Sequence, residues 1–289
     1  MSQAPPMRIR CRLIAEADTP GLAELLSRGF PDRSIAYWAR ALDTLARRDA
    51  PDGYPRFGYL LEHDGSPVGV ILMIFTKIGS GPIRCNISSW YVEEAHRGYA
   101  SLLIAAAVRH REVTYINTSP AVHTWPIIEA QGFRRYCNGQ MLTIPALSPW
   151  RPNARARRFE NRRDYGDSLS IQERDLLSSH VKHGCLALVV RERRDAHPFV
   201  FLPRRVLKNV LPTLQLIYCR DISDFQRFAG PLGRELMRHG HPTVLIDASE
   251  PLPGVVGKYM HNRGPKYFKG PERPRLGDLA FSESVLFGP

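Results

Sequence analysis

The same order of elements is predicted twice along the chain: a β-hairpin, a strand, a helix and a further strand. In the first half the hairpin strands are FGYLLEH and VGVILMIF around Asp64-Gly65, and CNISSWYVE and VTYIN flank a helix. In the second half the corresponding strands are CLALVVRE, PFVFLPRRV, LQLIYCRD and PTVLIDA. Alternating strands and helices predict an α/β fold with a mixed sheet, and the repeated order predicts two tandem copies of it.

The stretch 148–168 is expected to separate the two copies. It has two prolines, six arginines and no periodic apolar face, which favours a linker or an exposed basic arm. The chain of 289 residues is long enough for two cores. We therefore predict an N-terminal domain 1–147, a basic linker 148–168 and a C-terminal domain 169–289.

Two further predictions concern the second half. The helix PLGRELMRHG is expected to begin at Pro231, because proline suits a first helical turn. The tail from residue 254 is rich in Gly and Pro, so its middle is expected to be an ordered loop, followed by a closing strand in AFSESVLF.

The net charge of +12 and the pI near 9.8 are compatible with nucleic acid, an anionic membrane or an anionic small ligand. The basic excess is nearly all arginine, and no nucleic-acid recognition motif accompanies it. Nucleic acid is therefore an unfavoured partner. A basic protein that binds RNA or DNA through the arm 151–163 stays as a third and weaker alternative.

Hydropathy and cysteine usage indicate a cytoplasmic protein. No window approaches about 18 uninterrupted apolar residues, and the first residues do not resemble a secretion signal. The five cysteines form no CxxC pair, so buried reduced thiols are expected. The ten histidines show no metal-binding spacing, so no metal site is predicted.

The stretch WYVEEAHRGYASLL, residues 90–103, joins an aromatic strand end to an apolar helix through a turn that contains Gly98. Unpaired amides at a helix N-terminus favour an anion, and glycine allows a phosphate to approach the backbone. Arg97 adds a cation. The turn is therefore a candidate phosphate site.

This stretch resembles the acetyl-CoA motif of the GCN5-related N-acetyltransferase (GNAT) superfamily, usually written Q/R-x-x-G-x-G/A. Gly98 and Ala100 match it, whereas Ala95 stands at the first position. The order of elements over residues 7–147 is also similar to that superfamily. The resemblance implies a GNAT-like fold and acetyl-CoA or another acyl-CoA as co-substrate. It implies that the pantetheine arm lies along Trp90, Tyr91 and Val92, and the pyrophosphate on Arg97, Gly98, Tyr99, Ala100 and Ser101.

The chain departs from the family where many relatives carry a Glu base on the fourth strand and a Tyr acid before the Gly-Phe pair. Arg84 and Ile128 occupy those places, and neither can carry out the proton transfer. His123 and Tyr136 are the substitute candidates, with Glu93, Glu94, Ser88 and Ser89 nearby in sequence.

The second half contains a near-match to the motif, RFAGPL at 227–232, in which Leu232 replaces the small residue. Asp221 and Asp224 precede it and would repel a pyrophosphate, so CoA is expected in the first half. We expect an N-acyltransferase that acts on a small-molecule or peptide amine in a ternary complex. The alternative is a non-catalytic, GNAT-shaped module that binds CoA or a partner; the acceptor and the oligomeric state are left open.

Overall fold

A computed structural model describes residues 9–77, 79, 81–163, 165–206 and 211–288. Residues 1–8 and Asp164 of the predicted linker lie outside this range. By its contacts the chain divides into two compact units. The first unit runs to Asn117 and includes Lys269–Glu272; the second comprises Thr118–Phe268 and the residues from Arg273 onward.

The first unit contains a five-stranded sheet and three helices. Its strands follow the order β1-β2-β3-β4-β5, antiparallel except for the parallel pair β4 and β5. Short 3-10 helices precede α1 and α3. The elements are β1 Ile9–Leu13, α1 Thr19–Gly29, α2 Ile35–Ala46, β2 Gly58–His63, β3 Ser66–Lys77, β4 Ile83–Val92, α3 Ala100–Ala107 and β5 Thr114–Asn117.

Local sequence accounts for the hairpin and the second helix. Asp64 and Gly65 both have positive φ, 47° and 84°, as a type I′ turn requires, so the predicted hairpin is confirmed. The Ser34 hydroxyl accepts a hydrogen bond from the Tyr37 amide at 3.2 Å and caps α2. The buried residues of α2, which are Trp38, Ala41, Leu42 and Leu45, recur at helical spacing.

The second unit contains a seven-stranded sheet in the order β12-β6-β11-β10-β9-β8-β7. Only β10 and β11 run parallel. The elements are α4 Trp125–Ala130, β6 Arg134–Thr143, β7 Ala154–Arg158, α5 Ile171–Lys182, β8 Leu186–Glu192, β9 Asp195–Val206, β10 Leu211–Cys219, α6 Ile222–Arg238, β11 Val244–Ala248, β12 Gly257–Lys269 and α7 Glu283–Leu286.

The repeat predicted from the sequence is present. The five strands β7 to β11 pair in the same order and directions as β1 to β5, with the parallel pair last in both. In each set one helix joins the parallel strands, α3 in the first and α6 in the second. The chain therefore has a mixed α/β architecture that fits two tandem copies of one fold.

The segment 148–168 is not an irregular arm, because it contains β7. Ala154 and Ala156 are buried while the arginines between and after them are exposed. The sequence did not reveal this strand, because its buried residues are small alanines that do not stand out as an apolar face. The alternation of alanine and arginine nevertheless has the two-residue period of a strand. The units defined by contacts differ from the predicted domains, because β6 pairs with β11 and β12 and belongs to the second unit. The division into domain 1–147, linker 148–168 and domain 169–289 refers to the two copies of the fold and remains a prediction.

Helix α6 begins nine residues before Pro231, so the prediction of its start was wrong. Asp221 caps it, and Pro231 lies inside the helix. Gly230 and Gly233 lie so close to the backbone of 145–149 that a Cβ at either position would overlap it. This close packing, together with the buried Phe225 and Phe228, holds the helix through its proline.

The tail also differs from its prediction. Its middle forms strand β12, which pairs with β6 through register shifts near Lys266, and the terminal stretch contains helix α7 rather than a strand. The register shifts and glycines interrupted the alternation that would have indicated a strand. No helix among the described residues is long and apolar enough to cross a bilayer.

Candidate functional site

Strands β4 and β5 diverge within the first unit. They pair only over Arg84–Asn86 and Thr114–Ile116. Beyond that point Ser89 has a φ of 51°, and the register with β3 shifts so that Ser89 and Trp90 face the single residue Ile71. Such a bulge bends the strand that carries it. The bend and the short pairing leave a notch between the two strands.

The notch leaves one edge of β4 without a strand partner over residues 88–92. One edge of this stretch is paired with β3, and the other faces the notch. Among the described residues, no other backbone group bonds to that second edge. An extended molecule that carries amide groups can therefore pair with it as an added strand.

The turn after β4 is more ordered than the sequence indicated. Glu94–Tyr99 form a 3-10 helix, in which the His96 amide donates to the Glu93 carbonyl at 2.9 Å and the Ala100 amide to the Arg97 carbonyl. The amides of His96 and Ala100 are therefore paired within the turn, and the assignment of a phosphate to it stays a prediction. Local 3-10 bonding satisfies these donors at a helix start.

Gly98 is exposed, and the space above it is open. A Cβ at this position would meet no atom within 4 Å, and its backbone does not require glycine. The fold therefore does not explain the glycine, whereas a phosphate approaching the backbone would. Tyr99 and Ser101 are also exposed, and Ala100 is half-buried.

Charges around the turn favour an anion. The Arg97 side chain is 67% exposed and lies 3.8 Å from Glu94, a loose contact for an ion pair. Glu93 is bound by Arg28 at 2.9 Å, which offsets its charge. The positive charge of Arg97 beside Gly98 is therefore only weakly balanced by nearby carboxylates and can attract an anion.

The aromatic strand residues have packing roles of their own. Trp90 is half-buried, and the Tyr91 ring lies against Gly29 at the end of α1, where a Cβ would overlap it. Val92 is buried and packs over Gly69. The side chains of Tyr91 and Val92 therefore serve the core, and their backbone is what the notch exposes.

A histidine pair near the turn was not foreseen from the sequence. His96 Nε2 lies 3.0 Å from His63 Nδ1, and His63 Nε2 lies 3.3 Å from an Asp64 carboxylate oxygen. The two histidines are 33 residues apart and belong to no common motif. Only the placement of the β2 end beside the 3-10 helix brings them together.

The residues predicted for proton transfer lie in the other unit. His123 is exposed in the 3-10 helix Val122–Thr124, and Tyr136 on β6 is 3% exposed with its ring perpendicular to that of Phe268. Arg84 is half-buried on β4, and Ile128 is buried in α4. Their catalytic roles stay predictions. No group of three or more metal-ligating side chains is found among the described residues.

The corresponding notch of the second copy is filled by the chain itself. Strands β10 and β11 pair over Leu214–Gln215, and a bulge follows before Tyr218. Past the bulge, the Leu279 amide donates to the Ile217 carbonyl at 2.8 Å, and the Cys219 amide donates to the Gly277 carbonyl at 2.9 Å. Since β9 holds the other edge of β10, the segment 277–279 occupies the edge that is open in β4.

The helix start of the second copy is closed to anions as well. The Asp221 carboxylate accepts the Ser223 amide at 2.7 Å, and its hydrogen bonds with Ser223 lower the pKa of that carboxyl. The near-match RFAGPL lies inside α6 and forms no turn. An anionic cap at a helix N-terminus repels a second anion, so the open site is that of the first copy.

Comparisons with solved structures agree with this architecture. A GCN5-related N-acetyltransferase from Anabaena variabilis aligns with 91% of this chain and 72% of its own, with a TM-score of 0.57 and 9% identity. The chain has the GNAT fold. A protein from Pyrococcus horikoshii assigned as an acetyltransferase aligns over 98% of this chain and 96% of its own, at a TM-score of 0.55 and 11% identity.

A GCN5-related N-acetyltransferase from Kribbella flavida also shares the GNAT fold, at a TM-score of 0.54 and 13% identity, over 91% of this chain and 71% of its own. No protein-family model matches the sequence, and no curated protein matches it. These identities show the fold alone. The resemblance drawn from Gly98 and Ala100 is confirmed at that level.

Proposed function

We propose that the protein binds an acyl-CoA at the first unit, with acetyl-CoA as the leading candidate, and transfers its acyl group to an amine. The observation that carries this proposal is the open edge of β4 beside the open space at Gly98. The open edge of β4 suits a chain of amides, and the open space at Gly98 suits a diphosphate. CoA carries both groups. The GNAT fold supports the same ligand.

The residues present fit that ligand. The backbone of 88–92 would hold the pantetheine amides, and Gly98 with Arg97 would hold the pyrophosphate. When bound, CoA supplies the activated acyl thioester. The chain contributes alignment of the thioester with the acceptor, which lowers the entropic part of the barrier.

An acceptor amine must lose its proton to attack a thioester. We keep His123 as the proposed base, because its side chain is exposed and imidazole is the most frequent general base in enzymes. Tyr136 is proposed as the acid that protonates the thiolate. The proposed acceptor is a small-molecule or peptide amine.

A second candidate is a CoA-binding module without catalysis. The specific observation behind it is that Arg84 and Ile128 hold the places where many GNAT enzymes carry the base and the acid. The notch and the turn would then serve for binding alone. This alternative shares the ligand with the first proposal and differs only in turnover.

Two measurements separate the candidates. Calorimetry with CoA and acetyl-CoA tests binding, and release of free thiol from acetyl-CoA across a panel of polyamines, amino sugars and peptide N-termini tests transfer. An enzyme releases thiol only with some acceptors, and His123→Ala reduces kcat while CoA affinity is kept. Binding without release across the panel supports the module, and the absence of binding contradicts both.

A further inference from the structure

The second unit contains a cavity of about 250 Å³ on the sheet face opposite α6. Its walls come from β7, β8 and the loops beside them. Five arginines and one aromatic ring dominate its lining: Arg155, Arg157, Arg163, Arg191, Arg193 and Tyr165. No acidic residue is among the described residues that line it.

Strand alternation brings these arginines together. Ala154 and Ala156 point to the core beneath α6, so Arg155 and Arg157 point to the other face. Arg155 lies directly opposite Arg191 in the antiparallel pair of β7 and β8. Like charges directly opposite each other destabilise a sheet, so the fold by itself does not favour this arrangement.

The β8 carboxylate next to the cavity residues Arg191 and Arg193 in sequence serves the opposite face. Glu192 pairs in register with Ala154 and binds Arg151 and Arg227. None of the five cavity arginines forms an ion pair with a carboxylate in the part of the chain that the structure describes. Their charges are therefore left for a ligand or for solvent.

The cavity also has a fixed floor. Tyr165 is buried, its ring stacks on Phe159 at 5.7 Å, and its hydroxyl accepts the Glu160 amide at 3.1 Å. The Arg191 guanidinium lies 6.0 Å from the centre of the Tyr165 ring and is half-buried. Contact with the ring restricts this arginine before any ligand arrives.

We propose that this cavity binds a small ligand that carries two or more phosphate groups. Guanidinium forks match phosphate oxygens in pairs, and several forks around one cavity match more than one phosphate. The cavity volume lies just below the usual range for ligand pockets, which is about 300–1,000 Å³. A compact diphosphate or triphosphate fits this size, and an extended nucleic-acid strand does not. The proposal is independent of the acyl-CoA site.

The test uses the full chain with inorganic pyrophosphate and tripolyphosphate, titrated by calorimetry at constant ionic strength. The double variant Arg155→Gln with Arg191→Gln should weaken binding by at least about tenfold, since it removes two guanidinium groups that would form charged hydrogen bonds to the phosphates. Arg158→Gln is the matched control, because Arg158 is exposed on the same strand and lies on the opposite face. It should change affinity less than about twofold, as a surface substitution away from the ligand does.

Two further readouts complete the test. Without phosphate, the double variant should melt at or above the wild-type temperature, since it removes opposed charges. Gly98→Glu should leave unchanged the tripolyphosphate binding that the double variant weakens, and any binding that Gly98→Glu removes should be a separate component at the turn. If Gly98→Glu abolishes the binding that depends on Arg155 and Arg191, the ligand lies at the turn and the proposal is overturned. Equal weakening by Arg158→Gln would indicate diffuse attraction and also overturn it. Binding of a single-stranded oligonucleotide that tripolyphosphate cannot displace would overturn the proposal too.

Discussion

Replacement of Lys266 by methionine should destabilise the second unit strongly. The Lys266 ammonium lies 3.3 Å from Asp247, and each side chain is 4% exposed. It also donates to the Thr118 carbonyl at 3.0 Å. Asp247 accepts a further hydrogen bond from Gln140 at 3.0 Å. Lys266→Met therefore leaves a buried carboxylate with an amide as its remaining partner.

The magnitude follows from this burial. Loss of one partner of a buried pair costs about 3–5 kcal/mol, because the other charge stays in a low-dielectric site. At about 2–4 °C per kcal/mol for a chain of 150–250 residues, the melting temperature should fall by about 6–20 °C. At 4% exposure, solvent screening does not reduce the effect.

Thermal unfolding followed by circular dichroism measures the change. Lys258→Met is the matched control, since Lys258 is exposed on the same strand, and its effect should stay within about 0.5 kcal/mol. The double variant Lys266→Met with Asp247→Leu should recover most of the loss, because it removes both charges. A Lys266→Met protein as stable as the control would refute the reasoning.

Three more outcomes are expected. CoA should saturate at one site per chain, because 277–279 fills the second notch, and calorimetry would give two if that segment were displaced. Arg12 holds the pKa of the Asp18 carboxyl below its ordinary value of about 3.9. Asp18 therefore stabilises the fold above about pH 4, and this contribution is lost as the pH falls. Asp18→Asn should flatten the dependence of stability on pH below about pH 4, and an unchanged dependence would contradict this. Burial raises the pKa of Cys137 to about 11 and of Cys185 to about 12, so a thiol reagent should label only the half-buried Cys11 quickly, with all five cysteines labelled after unfolding.

The sequence predicted what depends on local chemistry. The Asp64-Gly65 turn and the order of strands around Gly98 follow from short-range preferences, and the structure confirms them. Strand β7 was missed because its buried positions are alanines. The start of α6 was missed because its proline is tolerated only through tertiary packing against 145–149.

The candidate site shows the same division. Gly98 and Ala100 were proposed from a motif and Arg97 from its charge, but the bulge at Ser89 and the open edge of β4 depend on pairing between strands. The filling of the second notch by 277–279 joins segments about 60 residues apart in sequence, as the bond from Leu279 to Ile217 shows. The arginine cavity could not be predicted from the sequence, because it depends on which residues face each other across β7 and β8.

The measurement that tests the central claim most directly is CoA binding by Gly98→Glu, compared with wild type and with Ala39→Glu. The fold has room for a side chain at Gly98, so both variants should fold and melt like wild type. Ala39 is exposed on α2, so Ala39→Glu adds the same charge at a surface position distant in sequence from Gly98. The account predicts that Gly98→Glu alone loses at least about tenfold in CoA affinity, through repulsion of the pyrophosphate. Unchanged affinity in that folded variant would contradict the account.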